Sequence, residues 1–251
     1  MARKVSKRKK PDREDFLLKE RFKLESEVFD RQTLLTLSRL ISKGIIKNMD
    51  YPVSTGKEAN IFRATTPSGS FLAVKIYKIE TTHFMNRKEY LIGDPRFRKF
   101  RRNEMGLVYA FVQKEFKNLQ ICEKAGIHAP KPLLQEKNVL VMEFLGEEGL
   151  PYTPLNVLGP ESIEQLKSIL ADMRKMHEAG LVHADVSEYN VLVGPSPYLI
   201  DFGQGVVLSH PHAEKYLERD VRNIVNYFAR FGFGIPIEKA LKYVKGEEKE
   251  L

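Results

Sequence analysis

Residues 181–193 read LVHADVSEYNVLV and residues 199–205 read LIDFGQG, and on these two stretches the reading of the 251-residue chain turns. His183-Ala184-Asp185 is followed five residues later by Asn190, and eleven residues after that by Asp201-Phe202-Gly203. Phosphoryl transfer from ATP needs a carboxylate to orient the attacking oxygen. It also needs an oxygen ligand and a second carboxylate to hold a divalent cation on the phosphates. Asp185, Asn190 and Asp201 match those three roles in type and in order.

Further upstream, Lys75 stands in Ala73-Val74-Lys75-Ile76 at the end of an expected strand, where a kinase places the lysine that binds the α- and β-phosphates. Glu115, in the helix that follows, is its natural partner. Singly, each residue has a structural reading: a turn cap, a solvated helix face, an exposed strand lysine. The five together, in this order, argue for a site. The segment ahead of the lysine is Ser54-Thr55-Gly56-Lys57-Glu58-Ala59-Asn60, which is neither GxGxxG nor a Walker A motif. Its one glycine permits a turn, and Ser54, Thr55 and Lys57 can offer donors to phosphate oxygens.

Periodicity places these residues on elements. Residues 1–15 carry charge without an apolar face and are expected to form a disordered basic tail; residues 16–48 have helical spacing, the second helix ending at Gly44. Residues 51–64 and 71–78 read as strands around a Thr-Pro-Ser-Gly turn, and residues 83–104 as a long mobile basic loop. A helix over 107–125, a hairpin over 132–144 and a linker with Pro151 and Pro154 follow. A periodic helix over 161–179, closed by Gly180, precedes short strands at 191–193 and 198–200 and helices near 212–231 and 236–245. This is a two-lobed α+β pattern: N-terminal helices at 16–48, an N-lobe over 49–146 and a C-lobe over 147–251.

Composition sets the class and hints at a partner. Hydrophobic residues are 42% and charged residues 29%, as in a globular protein, and no apolar run approaches the ~18 residues a membrane helix requires. One cysteine, Cys122, excludes an intrachain disulfide, and its helical neighbours make it a small core residue. With no apolar segment after the basic N-terminus, a cytoplasmic location is the expectation. The net charge of +8 is concentrated in residues 1–13, with seven basic residues against one acidic, and residues 83–102, with seven against two. Two such clusters suit a polyanion, with rRNA as the expected partner. Tyr90 and Phe97, interleaved with the second cluster, either stack on unpaired bases or anchor the loop. His210-Pro211-His212 lacks a third ligand in sequence and is a poor metal site.

The segments STGKEANIF, AVKIYK, RKEYLIGDPRFR, VMEFLG, LVHADVSEYNVLV and LIDFGQG together resemble the RIO family of atypical serine/threonine protein kinases, in the subfamily without an N-terminal winged helix. The resemblance covers roughly residues 50–245, and the chain's short end is similar to archaeal members. It implies a two-lobed kinase-like α+β fold with a trimmed C-terminal lobe and extra N-terminal helices. It also implies that Asp185 accepts the proton, Asn190 and Asp201 bind Mg²⁺ or Mn²⁺, and Lys75, paired with Glu115, binds the phosphates. The backbone of Glu143 and Leu145 would hold the adenine edge, with Met142 behind it. Asp201 would also accept the phosphate transiently, giving an ATPase-like switch in maturation of the small ribosomal subunit. Two features agree: His183-Ala184-Asp185 lacks the arginine that reads an activation-loop phosphate, and no Ala-Pro-Glu follows Gly203. Asp220 is expected to brace the catalytic loop. The alternatives are the small kinase of the archaeal tRNA-modification complex and an aminoglycoside- or choline-type phosphotransferase, which share the HxDxxxxN…IDFG core.

Overall fold

The computed structural model describes residues 29–79, 88–97 and 103–251. The expected basic tail, the first N-terminal helix and much of the basic loop lie outside the described residues. Five antiparallel strands form the N-terminal sheet: β1 (Asn48–Thr55), β2 (Ala59–Thr65), β3 (Phe71–Tyr77), β4 (Pro132–Glu136) and β5 (Val139–Glu143). They are ordered β1-β2-β3-β5-β4. The central strand β3 is buried on both faces, and the two-residue period of a strand sorts its side chains. Val74 and Ile76 join Val139 and Val141 against helix α1 (Arg31–Ser42). Ala73 and Tyr77 face the other way, with Leu140 and Met142, toward helix α2 (Glu104–Lys124).

Helix α1 starts where Asp30 accepts from the amides of Gln32 (2.8 Å) and Thr33 (3.0 Å), a cap worth about 1 kcal/mol. It ends at Gly44, whose φ of +66° suits the residue beyond a helix C-terminus. Leu37 and Leu40 bury its inner face, and Asn138 ties it to the sheet by donating to Thr33 Oγ1 at 2.8 Å and to the Tyr77 carbonyl at 2.9 Å.

The expected strand over 51–64 is two strands. Gly56 breaks it: its amide donates to the Ala59 carbonyl at 3.0 Å and closes a hairpin, while Ser54↔Ile61 and Thr55↔Asn60 pair below the turn. The alternation of β-branched and aromatic residues runs through the turn, so periodicity alone hides it.

Within the basic loop, residues 88–97 are described and packed. Lys88–Tyr90 and Pro95–Phe97 form 3₁₀ turns, and Tyr90, Leu91 and Phe97 are buried. Both aromatics are therefore anchors and not free faces for bases. His210 explains part of the packing. Its ring is buried, and Nε2 lies 3.0 Å from the carbonyls of both Glu89 and Ile92. His210 is thus engaged in holding this turn, and no cluster of three His, Cys, Asp or Glu side chains suited to a metal occurs among the described residues.

The C-terminal half is helical around short sheets. Helix α3 (Leu155–Leu158) is brief. Helix α4 (Ile163–Glu178) buries Leu166, Ile169, Leu170, Met173 and Met176, roughly 1.5–3 kcal/mol each by area, and stops at Gly180 with φ +81°. Helices α5 (Ala213–Ala229) and α6 (Ile237–Val244) pack on it. The expected linker at 151–154 is woven into structure. Strand β6 (Gly146–Glu147) pairs with β7 (Leu150–Pro151), and β8 (Thr153–Pro154) pairs with β10 (Val191–Val193), which pairs in turn with β11 (Pro197–Leu199). Strand β9 (Leu181–Val182) pairs with β12 (Val206–Val207), so both chemistry-bearing loops leave from paired strands. Cys122 is fully buried.

Candidate active site

A cleft of about 650 Å³ lies between the sheet and the C-terminal half. Ser54, Gly56 and Lys57 of the hairpin, Lys75, Glu115, Met142, Glu143, Leu145, Asn190 and Asp201 all line it. Thr55 is not among the lining residues and pairs with Asn60 at the end of the ladder. Asp185 stands just behind the lining, where Asn190 Nδ2 donates to its carbonyl at 2.8 Å and to its Oδ2 at 3.1 Å.

Lys75 projects from the α2-facing side of β3, and its Nζ donates to Glu115 Oε1 at 2.7 Å and Asp201 Oδ1 at 2.9 Å. Burial alone would lower its pKa, but the carboxylates of Asp201 and Glu115 outweigh burial and hold it well above the ordinary lysine value. The ammonium is therefore a fixed charge. Tyr77, one strand period on, donates its hydroxyl to the other oxygen of Glu115.

Two non-glycine residues in the chemistry-bearing loops hold left-handed backbone: Ala184 at φ +63° and Asp201 at φ +65°. Such conformations cost about 1–2 kcal/mol each and persist only where the surroundings determine them. The surroundings here are specific. His183 lies buried with its ring 4.5 Å from that of Phe202, and Nε2 is 3.0 Å from the Ile200 carbonyl. Burial lowers its pKa to about 4, so the ring is neutral and Nε2 is the donor. Asp220 accepts from the Val186 amide at 3.2 Å, and Arg219 donates to the Ala184 carbonyl. Asp220 thus sits where the sequence reading expects a brace for the catalytic loop.

Sequence reading missed three residues. Gln204 Nε2 donates to Asp185 Oδ2 at 2.8 Å. Lys114 and Asn118 of α2 are buried and donate to carbonyls of residues 202–205. Burial pulls the Lys114 pKa down to about 7, so it serves as a donor in either protonation state. A signal existed: Lys114 falls three residues after Phe111 and four before Asn118, on the buried stripe of α2.

The donor set suits a hard cation. Asn190 directs its amide nitrogen to Asp185, and its amide oxygen and the Asp201 carboxylate are oxygen donors of the kind that would hold Mg²⁺ or Mn²⁺.

Comparison with known proteins shows the family. A sequence model of the RIO domain matches residues 60–240. The chain is 37% identical to the RIO-type serine/threonine-protein kinase Rio1 of Haloferax volcanii, over 99% of this chain and 88% of that one. It is 40% identical to Rio1 of Methanocaldococcus jannaschii, over 91% and 79%. The human serine/threonine-protein kinase RIO1 is 37% identical over 83% of this chain but only 38% of its own length. Among solved structures, the Rio2 kinase of Chaetomium thermophilum, crystallised as an ADP/Mg²⁺–phosphoaspartate complex, is similar with a TM-score of 0.62 and 25% identity, covering 85% of this chain and 66% of that one. The matched segment takes in Lys75, Glu115, Asp185, Asn190 and Asp201, and the chain belongs to the RIO family of atypical serine/threonine protein kinases and is a kinase enzyme.

Proposed function

We propose that this kinase transfers the γ-phosphoryl group of ATP with Asp185 as the proton acceptor and Asp201 as both cation ligand and transient phosphate acceptor. The observation that carries the reading is the placement of Lys75 Nζ between Glu115 and Asp201, at 2.7 and 2.9 Å. A buried ammonium fixed beside the cation-binding carboxylate is where the β-phosphate side of ATP would sit. Ser54, Gly56 and Lys57 would cover the phosphates from the β1–β2 turn. The Glu143 amide already donates to the Lys131 carbonyl, so the Glu143 carbonyl and Leu145 would meet the adenine edge, with Met142 behind. Mg²⁺ or Mn²⁺, held by Asn190 and Asp201, would supply charge neutralisation on the phosphates.

For hydroxyl acceptors, Asp185 would orient the oxygen and receive its proton, its carboxylate held in place by Asn190 and Gln204. For the transient route, an Asp201 oxygen would attack the γ-phosphorus, the bond to the β-bridging oxygen would break, and ADP would leave. Water, giving its proton to Asp185, would then cleave the acyl phosphate, regenerating the Asp201 carboxylate and completing hydrolysis to ADP and phosphate. The phosphoaspartate in the Chaetomium Rio2 complex supports this reading. We further assign the activity to maturation of the small ribosomal subunit, with rRNA met by the two basic clusters, in the cytoplasm; no described helix is long and apolar enough to cross a membrane.

The test follows γ-labelled ATP with Mg²⁺, with and without small ribosomal subunits. Label appearing as free phosphate through an acid-stable, hydroxylamine-labile protein adduct supports the Asp201 route. Label found only on hydroxyl side chains of a partner discards that route and leaves the kinase. Chelation of the cation should stop turnover, and Asn190→Ala should raise the Mg²⁺ concentration required.

A further inference from the structure

Helix α2 meets the loop after Asp201 along four consecutive carbonyls. Asn118 Nδ2 donates to Phe202 (2.9 Å) and Gly205 (2.8 Å), and Lys114 Nζ donates to Gly203 (3.3 Å) and Gln204 (3.0 Å). The two donors are four residues apart on one helical face, and both are fully buried. Gly205 permits the approach, since a Cβ there would stand 2.8 Å from Asn118 Nδ2.

Methionine, of similar length, would fill the place of Lys114 without the desolvation cost of a buried amine, so packing alone does not call for lysine here. The side chain carried by the clamped backbone supplies a reason. Gln204 Nε2 donates to Asp185 Oδ2 at 2.8 Å, and Asn190 Nδ2 reaches the same oxygen at 3.1 Å. The terminal torsion of an aspartate is broad when unrestrained. Two donors arriving on one oxygen from different loops fix that torsion, and with it the direction in which the other oxygen is presented.

We propose that Gln204 is a positioning residue for Asp185, and that Lys114 sets it by holding the Gln204 backbone. Helix α2 then governs both ends of the reaction, the phosphate-binding lysine through Glu115 and the proton acceptor through Lys114 and Gln204. The inference rests on the assignment of Asp185 and Asp201 given above.

The test measures turnover of γ-labelled ATP with Mg²⁺ for Gln204→Ala, Lys114→Met and the double variant, with Asp201→Ala alongside. Gln204→Ala should lower kcat about 10–100-fold while KM for ATP moves by less than about threefold, because the group acts on the acceptor and not on the nucleotide. Lys114→Met should lower kcat in the same way, with some loss of melting temperature because the Gly203 and Gln204 carbonyls lose their donor. Because the two act through one side chain, the double variant should lose no more than Gln204→Ala alone. Losses that multiply, a KM that rises in step with the loss, or a Gln204→Ala kcat within about threefold of the parent overturns the inference. Turnover persisting in Asp201→Ala overturns the reading of the site itself, which is a separate outcome. If Lys114→Met does not fold, Asn118→Ala, which removes the other pair of donors, enters the same cycle.

Discussion

Lys75 Nζ lies 2.9 Å from Asp201 Oδ1, joining residues 126 apart in sequence, and the contact closes the cleft between the sheet and the C-terminal half. The lysine is held by a second carboxylate, Glu115, which is itself buried. Removing the lysine's charge therefore strands a buried negative group.

Lys75→Met should cost roughly 3–5 kcal/mol of stability as well as turnover, because it leaves Glu115 without its counter-charge. Lys75→Met combined with Glu115→Gln should recover a large part of the stability and none of the activity. Urea denaturation and ATP turnover on the same preparations separate the two effects. A double variant as unstable as Lys75→Met alone would show that the pair's charge is not what the fold depends on.

His183 gives the acid side of the stability curve a definite shape. Its folded pKa is about 4, while an unfolded histidine titrates near 6.5. As pH falls, the unfolded chain takes up a proton that the fold refuses. The contribution is thus fully present above about pH 6.5 and is lost progressively as pH drops toward 4, up to about 3 kcal/mol in total. His183→Gln keeps a donor for the Ile200 carbonyl and removes the titration. Its stability should fall less steeply between pH 7 and 5 than the parent's, read from urea midpoints; parallel slopes would remove His183 from the account.

Gly93 has φ +99°, and a Cβ there would stand 2.9 Å from Pro211 Cδ and 3.3 Å from His210 Nε2. Gly93→Ala should destabilise by about 1–2 kcal/mol from the backbone alone. It should also release the amides of residues 88–97 to faster hydrogen exchange while leaving α4 protected. Unchanged exchange across 88–97 would mean that His210 and Pro211 do not hold that turn.

On the proposed function, the basic residues at 1–13 would bear on the partner and not on the chemistry. Deleting them should flatten the log–log salt dependence of binding to small ribosomal subunits by about 0.7–0.9 unit for each phosphate they neutralise. Turnover of free ATP should be unaffected. Sedimentation at two salt concentrations reads the slope, and an unchanged slope assigns the tail no role in binding RNA.

The residues that meet in the cleft were legible in the sequence because phosphoryl transfer constrains residue type and order together. His183 to Asp201 and the strand lysine could be placed before any coordinates, and α4 followed from the spacing of Leu166, Leu170, Met173 and Met176. The β1–β2 turn was not legible, since Gly56 interrupts an alternation that continues on both sides of it. Residues 88–97 read as part of a mobile loop because their basic residues mask Tyr90, Leu91 and Phe97, which bury without a period. Lys114 escaped notice because lysine on a helix ordinarily marks the wet face. Only its phase relative to Phe111 and Asn118 pointed inward.

The turn at 88–93 belongs by sequence to the connection between β3 and α2, yet the ring that seats it, His210, comes from the far side of the cleft. The polypeptide also crosses the cleft at 144–152, where the Tyr152 amide donates to the Leu145 carbonyl at 3.0 Å. A jaw pivoted along one edge can gape; one buttoned along a second edge can only twist until the button is undone. Departure of spent nucleotide would then be timed by how long two carbonyls keep hold of one imidazole. In Gly93→Ala, ADP should leave faster than from the parent, and an equal off-rate would show that the button carries no tension.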